Sequence, residues 1–182
     1  MPRIHTPATI ADAPAAAHKT LEAVNGMLGS VPNLFRIVAN APAALEGYIG
    51  LNSALGNGSL DPAARERIAL AVAQVNDCSY CLAAHTYLAQ NVAKLSPTEI
   101  NRNRFGRSVD SKADVAVRFA QSIALNRGNV KDELFNEVKA AGYDDEQIVE
   151  IIAHVALNTL TNYMNEVLGT EVDFPAAANL ES

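Results

Sequence analysis

The chain has 182 residues, 49% of them hydrophobic and 19% charged, with a formal net charge of -6 and no tryptophan. This composition excludes a disordered chain, and an acidic balance without a run of Lys or Arg excludes a nucleic-acid partner. No apolar run reaches transmembrane length and the N-terminus lacks a signal-peptide core, so the expectation is a cytoplasmic protein with no membrane association, built as one domain over residues 1–182.

Pro2, Pro7 and Pro14 predict an extended arm over about residues 1–14, either laid across a neighbouring subunit or unattached. A helix is expected from Ala15 to about Leu28, with Leu21, Val24 and Leu28 at helical spacing, His18 on its surface and Gly29 as its stop. A short helix starts near Val31-Pro32-Asn33-Leu34-Phe35, and another runs from Ala41 to Leu55 before the Gly56-Asn57-Gly58-Ser59 break. Asp61 caps the next, with Pro62 at its first position. From Ile68 to Ala73 that helix is apolar all round, which requires burial on most sides.

A dithiol helix follows from near Asp77 to Gln90, so the two form a helical hairpin with a C-x-x-C at the corner. Ser96 with Glu99 predicts a capping box, Arg102, Arg104 and Arg107 a solvated loop. Helices are expected over Ser111–Arg127 (apolar residues Val115, Val117, Phe119, Ile123, Leu125) and Asn129–Ala141. A long last helix is capped by Asp144 and Gln147, stops at Gly169 and gives way to an extended tail from Asp173. No segment alternates as a strand does. The fold class is all-α, with seven to nine helices.

Chemistry gathers in Asn76-Asp77-Cys78-Ser79-Tyr80-Cys81-Leu82-Ala83-Ala84-His85. On a helix starting near Asp77, Cys81 lies about 60° from Cys78 and His85 about 40° from Cys81, so all three share one face. The sulfurs are then spaced for a reversible disulfide, and the imidazole lies one turn beyond Cys81. Asn76 and Asp77 as caps put Cys78 in the first turn, where free N–H groups favour a thiolate. In a reducing compartment a lone C-x-x-C points to catalysis, redox sensing or metal binding.

The combination Glu66-x11-Cys78-x-x-Cys81-x3-His85 resembles the core motif of the AhpD-like alkylhydroperoxidases, within the carboxymuconolactone decarboxylase family. The similarity runs from about Pro32 through Leu160-Thr161-Asn162-Tyr163 and Glu171-Val172-Asp173-Phe174-Pro175, and is nearest to the family's peroxidase-related members. The resemblance implies an AhpD-like helical fold assembled as a homo-oligomer, a trimer or a hexamer. It also implies an antioxidant oxidoreductase that reduces peroxides without a cofactor. Cys81 would attack the peroxide and become a sulfenic acid, Cys78 would condense with it, and His85 with Glu66 would relay protons. An external dithiol, lipoyl-bearing or thioredoxin-like, would reset the pair. Helix-end electrostatics favour Cys78 as the thiolate and the resemblance favours Cys81; the position of His85 tips the choice to Cys81. Tyr80 stands where some relatives have a second histidine, and is either a hydrogen-bonding member of the site or an aromatic wedge in a subunit contact.

Three alternatives use the same residues or the family name. A general dithiol/disulfide oxidoreductase or a redox sensor would use the same pair. A zinc-binding module would take Cys78, Cys81, His85 and Glu66 as ligands, but lacks a second Cys/His pair. Lactone decarboxylation in the family does not depend on this cysteine pair. His154, Asn158 and Asn162 form a polar stripe on the last helix, read here as an interface.

Overall fold

Proline, glycine and capping side chains divide the chain into helices. In a computed structural model, which describes residues 1–177, nine α-helices and no strand occur among those residues. They are α1 (His18–Leu28), α2 (Asn33–Val38), α3 (Pro42–Gly56), α4 (Pro62–Val75), α5 (Ser79–Asn91), α6 (Pro97–Arg104), α7 (Ser111–Asn126), α8 (Asp132–Ala140) and α9 (Asp145–Leu168). Two short 3-10 turns, Ile10–Asp12 and Ala15–Ala17, precede α1. No helix among the described residues is long and apolar enough to cross a membrane.

The boundaries follow local chemistry. The Asp61 carboxylate accepts the Ala64 N–H at 2.7 Å and Pro62 opens α4, where its missing donor is not needed. Asp144 and Gln147 form the expected reciprocal box on α9. Gly29 and Gly169 stop α1 and α9 in the left-handed region, at φ 74° and 64°. The tail beyond Asp173 is non-helical through Ala177, and its expected continuation, 178–182, lies outside the described residues.

The all-round apolar run of α4 is buried from Ile68 through Ala73, and it is the one helix that joins all three cores. Ala73 packs with Leu21, Ile37 and Leu45 of α1–α3 and with both cysteines. Ile68 and Val72 pack with Phe119, Val138 and Ile151 of α7–α9. Leu70 packs with Ala89 and Ile100 of α5 and α6. At roughly 1.5–3 kcal/mol for each buried large aliphatic side chain, α4 anchors the fold around the corner that carries the thiols.

Several expectations are corrected. Ser96 accepts the Glu99 N–H at 3.2 Å, but Glu99 does not reach back to complete a box. Its carboxylate is buried, taking Arg67 Nε at 2.6 Å, the Val109 N–H at 2.7 Å and Asn103 Nδ2 at 3.0 Å. The half-buried Arg67 guanidinium and three further donors, the third being the Ser108 hydroxyl, outcompete a single backbone amide. Arg104 is buried and donates to Gln74 Oε1 at 2.9 Å, so the arginine cluster is only partly a solvated loop. Leu125 is exposed, off the buried face of α7. The half-buried His18 holds the Ala13 carbonyl through Nε2 at 2.8 Å. The N-terminal arm lies on its own chain: the Arg3 N–H meets the Leu168 carbonyl at 2.8 Å, and Asn40 Nδ2 meets the His5 carbonyl at 2.8 Å.

Candidate active site

The site forms at the corner between α4 and α5. Asn76 closes α4, and Asp77 turns the chain in the left-handed region at φ 52°. Cys78 is therefore the N-cap of α5, one position outside the first turn expected for it. Its sulfur accepts the Cys81 N–H at 3.3 Å, so a thiol serves as the cap in place of Asn76 or Asp77. Cys78 is wholly buried and Cys81 nearly so, and both are free thiols.

Their electrostatics diverge. The Cys81 thiol is brought down to about 7: a hydrogen bond from Cys78 has the largest effect, burial opposes it, and His85, Asn165 and Asn162 reinforce it. Cys78 is pushed up, first by its hydrogen bond to Cys81 and then by burial, and the one N–H it accepts does not compensate. The helix end thus does not make Cys78 the thiolate; Cys81 holds that charge.

His85 and Glu66 come together as the motif implies, Nδ1 lying 2.9 Å from Oε2. About a fifth of each side chain remains accessible, 22% and 19%. Burial disfavours the imidazolium, but the Glu66 charge and hydrogen bond and the Cys81 thiolate outweigh it, so the His85 pKa is raised. Among the described residues no direct hydrogen bond joins the imidazole to either sulfur; His85 and Cys81 instead face a common space.

That space belongs to a cavity of about 680 Å³, lined by Cys81, His85, Glu66 and Tyr80 and walled by apolar side chains including Val24, Met27, Phe35, Ile49 and Leu157. Cys78 does not line it. Tyr80 is a wedge within the chain rather than in a subunit contact: its hydroxyl accepts the Leu34 N–H at 3.2 Å and its ring meets Phe174 edge-on at 5.8 Å. Burial, with the nearby Asp173 and Cys81 charges, pushes the phenol up and keeps it protonated. It joins α2, α5 and the tail and borders the cavity without bonding a sulfur.

The polar stripe of α9 is buried within the chain, against the interface expectation. His154 and Asn158 line the cavity, and burial with the nearby Arg65 charge lowers the His154 pKa, so it is neutral near pH 7. Asn162 is fully buried and its Oδ1 accepts from Asn76 Nδ2 at 2.9 Å. One further step reaches Asn165, whose Nδ2 donates to Cys81 Sγ at 3.2 Å. Sequence reading missed Asn165, though continuing the three-and-four spacing past Asn162 would have reached it. Among the described residues no three of His, Cys, Asp and Glu converge as metal ligands.

The carboxymuconolactone decarboxylase family model matches residues 42–122, which span α3 to most of α7. No functionally curated protein matches the sequence. Among solved structures, the fold is similar to that of an uncharacterized peroxidase-related protein with an alkylhydroperoxidase AhpD core from Ralstonia eutropha, at 24% identity over 94% of this chain and 92% of that one, with TM-score 0.84. It is similar also to a peroxidase-related protein from a Silicibacter species, at 20% identity over 100% of both chains and TM-score 0.80. A variant of the debrominase Bmp8 in complex with 2,3,4-tribromopyrrole shares the fold at 18% identity over 95% and 94% of the two chains, with TM-score 0.80. At these identities the likeness is one of fold.

Proposed function

We propose that this chain, whose residues 42–122 match the carboxymuconolactone decarboxylase family model, is a thiol-dependent peroxidase working as a single domain. The observation that carries this reading is that only one of the two sulfurs, Cys81, opens on the cavity, and that same sulfur has the lowered pKa.

The Cys81 thiolate attacks the outer oxygen of a hydroperoxide, the O–O bond breaks, and the alkoxide leaves. The proton that makes it an alcohol comes from the imidazolium of His85, held and charged by Glu66. Cys81 is then a sulfenic acid. The Cys78 sulfur displaces its hydroxyl, forming the disulfide and releasing water. Two thiols and one hydroperoxide thus give one disulfide, one alcohol and one water. An external dithiol donates two electrons and two protons to restore the pair. The exposed apolar residues along α9 support assembly with further copies of the chain.

Turnover of an organic hydroperoxide with a supplied dithiol tests the reading. Cys81→Ser abolishes reaction, whereas Cys78→Ser reacts once and leaves a sulfenic acid at Cys81 that a dimedone probe traps. Normal turnover by Cys81→Ser would defeat the assignment.

A second reductive reading draws on the fold shared with the debrominase and on a cavity large enough for an aromatic ring. The same two thiols would convert an aryl bromide and release bromide and a proton, forming the aryl C–H bond and the disulfide. Bromide release from tribromopyrrole, matched against peroxide consumption under identical conditions, separates the two.

A further inference from the structure

We infer that the side-chain amide of Asn165, with that of Asn162 beside it, forms a donor cradle that adds to the Cys78 hydrogen bond in making Cys81, rather than Cys78, the reactive sulfur. This deepens the reading above and rests on Cys81 being the attacking thiol.

A thiolate out of contact with bulk water needs hydrogen-bond donors where the solvent was. Asn165 Nδ2, on a side chain that is 2% exposed, donates to Cys81 Sγ at 3.2 Å. Asn162 sits one turn earlier on α9; its buried Nδ2 makes no hydrogen bond, and its amide adds a small lowering effect on the Cys81 thiol. Its orientation is set from outside: Asn76 Nδ2 donates to its Oδ1 at 2.9 Å, which leaves the nitrogen end for the sulfur. Asn76 belongs to the turn that delivers the dithiol, so the same corner that positions Cys81 also sets the amide facing it.

The cradle discriminates between the cysteines because, among the described residues, Cys78, at the N-cap, receives only the Cys81 N–H. The amides also differ from His85 in kind. A carboxamide neither gains nor loses a proton in the working range, so it stabilises the anion at every pH and delivers no proton to a leaving group. Asn162 and Asn165 are therefore positioning residues for the nucleophile, and His85 is the proton donor. The charged and titratable groups around this sulfur are His85, Cys78 and Tyr80 near it in the chain, Glu66 on α4 behind the imidazole, Tyr48 on α3, and Glu166 on α9, which acts on Cys78.

The test is the pH profile of Cys81 alkylation by iodoacetamide in a Cys78→Ser background, which needs no peroxide. Asn165→Leu should move the midpoint up by about one pH unit, slowing alkylation about tenfold on the acid side while leaving the alkaline plateau intact. Asn165→Asp, which replaces a donor with a charge, should move it further, and Asn76→Ala should move it less. A merely structural role changes the unfolding temperature and leaves the midpoint in place. Because buried variants can fail to fold, the unmodified protein supplies a second readout. The Asn162 and Asn165 side-chain amide resonances should titrate with the alkylation midpoint, and stationary resonances overturn the cradle. Moved midpoints without peroxide turnover would sink the peroxidase reading alone; unmoved midpoints with intact turnover would sink the cradle alone.

Discussion

At the scale of single residues, the site is organised by opposite pKa shifts on neighbouring groups. Cys81 at about 7 loses its thiolate as pH falls through that value, while Cys78, shifted upward, stays protonated across the same window. His85 is shifted upward too, so its imidazolium persists where the Cys81 thiolate has already formed. Peroxide turnover should therefore fall on the acid side as Cys81 protonates and on the alkaline side as His85 deprotonates. Removing the Glu66 charge removes the chief support of the imidazolium. Glu66→Gln should draw the alkaline limb to lower pH while moving the acid limb little, a result read directly from the rate profile; an unmoved alkaline limb would exclude the ion pair from proton delivery. Much of this site was legible from the sequence because Cys78, Cys81 and His85 lie within three turns of one another. The Glu66 pairing came through the resemblance, since nothing local joins it to His85. Asn165 could have been reached by extending the polar stripe, but its partner could not, because the contact spans 84 residues and depends on how α9 packs beside α5.

At the scale of elements, helix ends were readable because capping is decided within four residues. The reading failed where a distant group competed. The Ser96–Glu99 pair looks like a box until Arg67, Asn103, Ser108 and Val109 draw the carboxylate inward. At the dithiol corner, Asn76, Asp77 and Cys78 can all accept an amide, and the turn geometry chose Cys78. The buried Glu99 makes a prediction at this scale. Burial alone would raise its pKa, but the bonds from Ser108, Val109, Asn103 and Arg67 hold it at about 2 against an ordinary 4.5. A depressed carboxyl stabilises the fold above its ordinary pKa, and that contribution is lost as pH falls through about 2. The contribution is about 3 kcal/mol, and Glu99→Gln should remove a similar amount at neutral pH and flatten the acid dependence. Urea unfolding of both proteins across that range measures it; an unchanged acid slope in the variant would show the network to be neutral.

At the scale of the whole molecule, α9 has two characters. Its inner side carries the buried asparagines, and its outer side exposes Val149, Ile152, Leu160, Tyr163 and Val167 at helical spacing. That outer stripe is the surface on which the proposed self-association should depend. Leu160→Glu combined with Tyr163→Glu should reduce the mass measured by light scattering to that of one chain with unchanged circular dichroism. A mass that does not fall excludes this stripe. The complete burial of Cys78 bears on how the molecule meets a second protein. A recycling thiol arriving from outside finds one sulfur within reach, so the transient cross-link between enzyme and reductant must form at Cys81, with Cys78 as the departing group. The reductant's second thiol then breaks that cross-link, so it persists only when that second thiol is removed. The oxidised Cys78→Ser protein is thus bait for a candidate dithiol donor whose second thiol has been replaced, and a mixed disulfide at Cys81 marks that candidate as able to deliver electrons there.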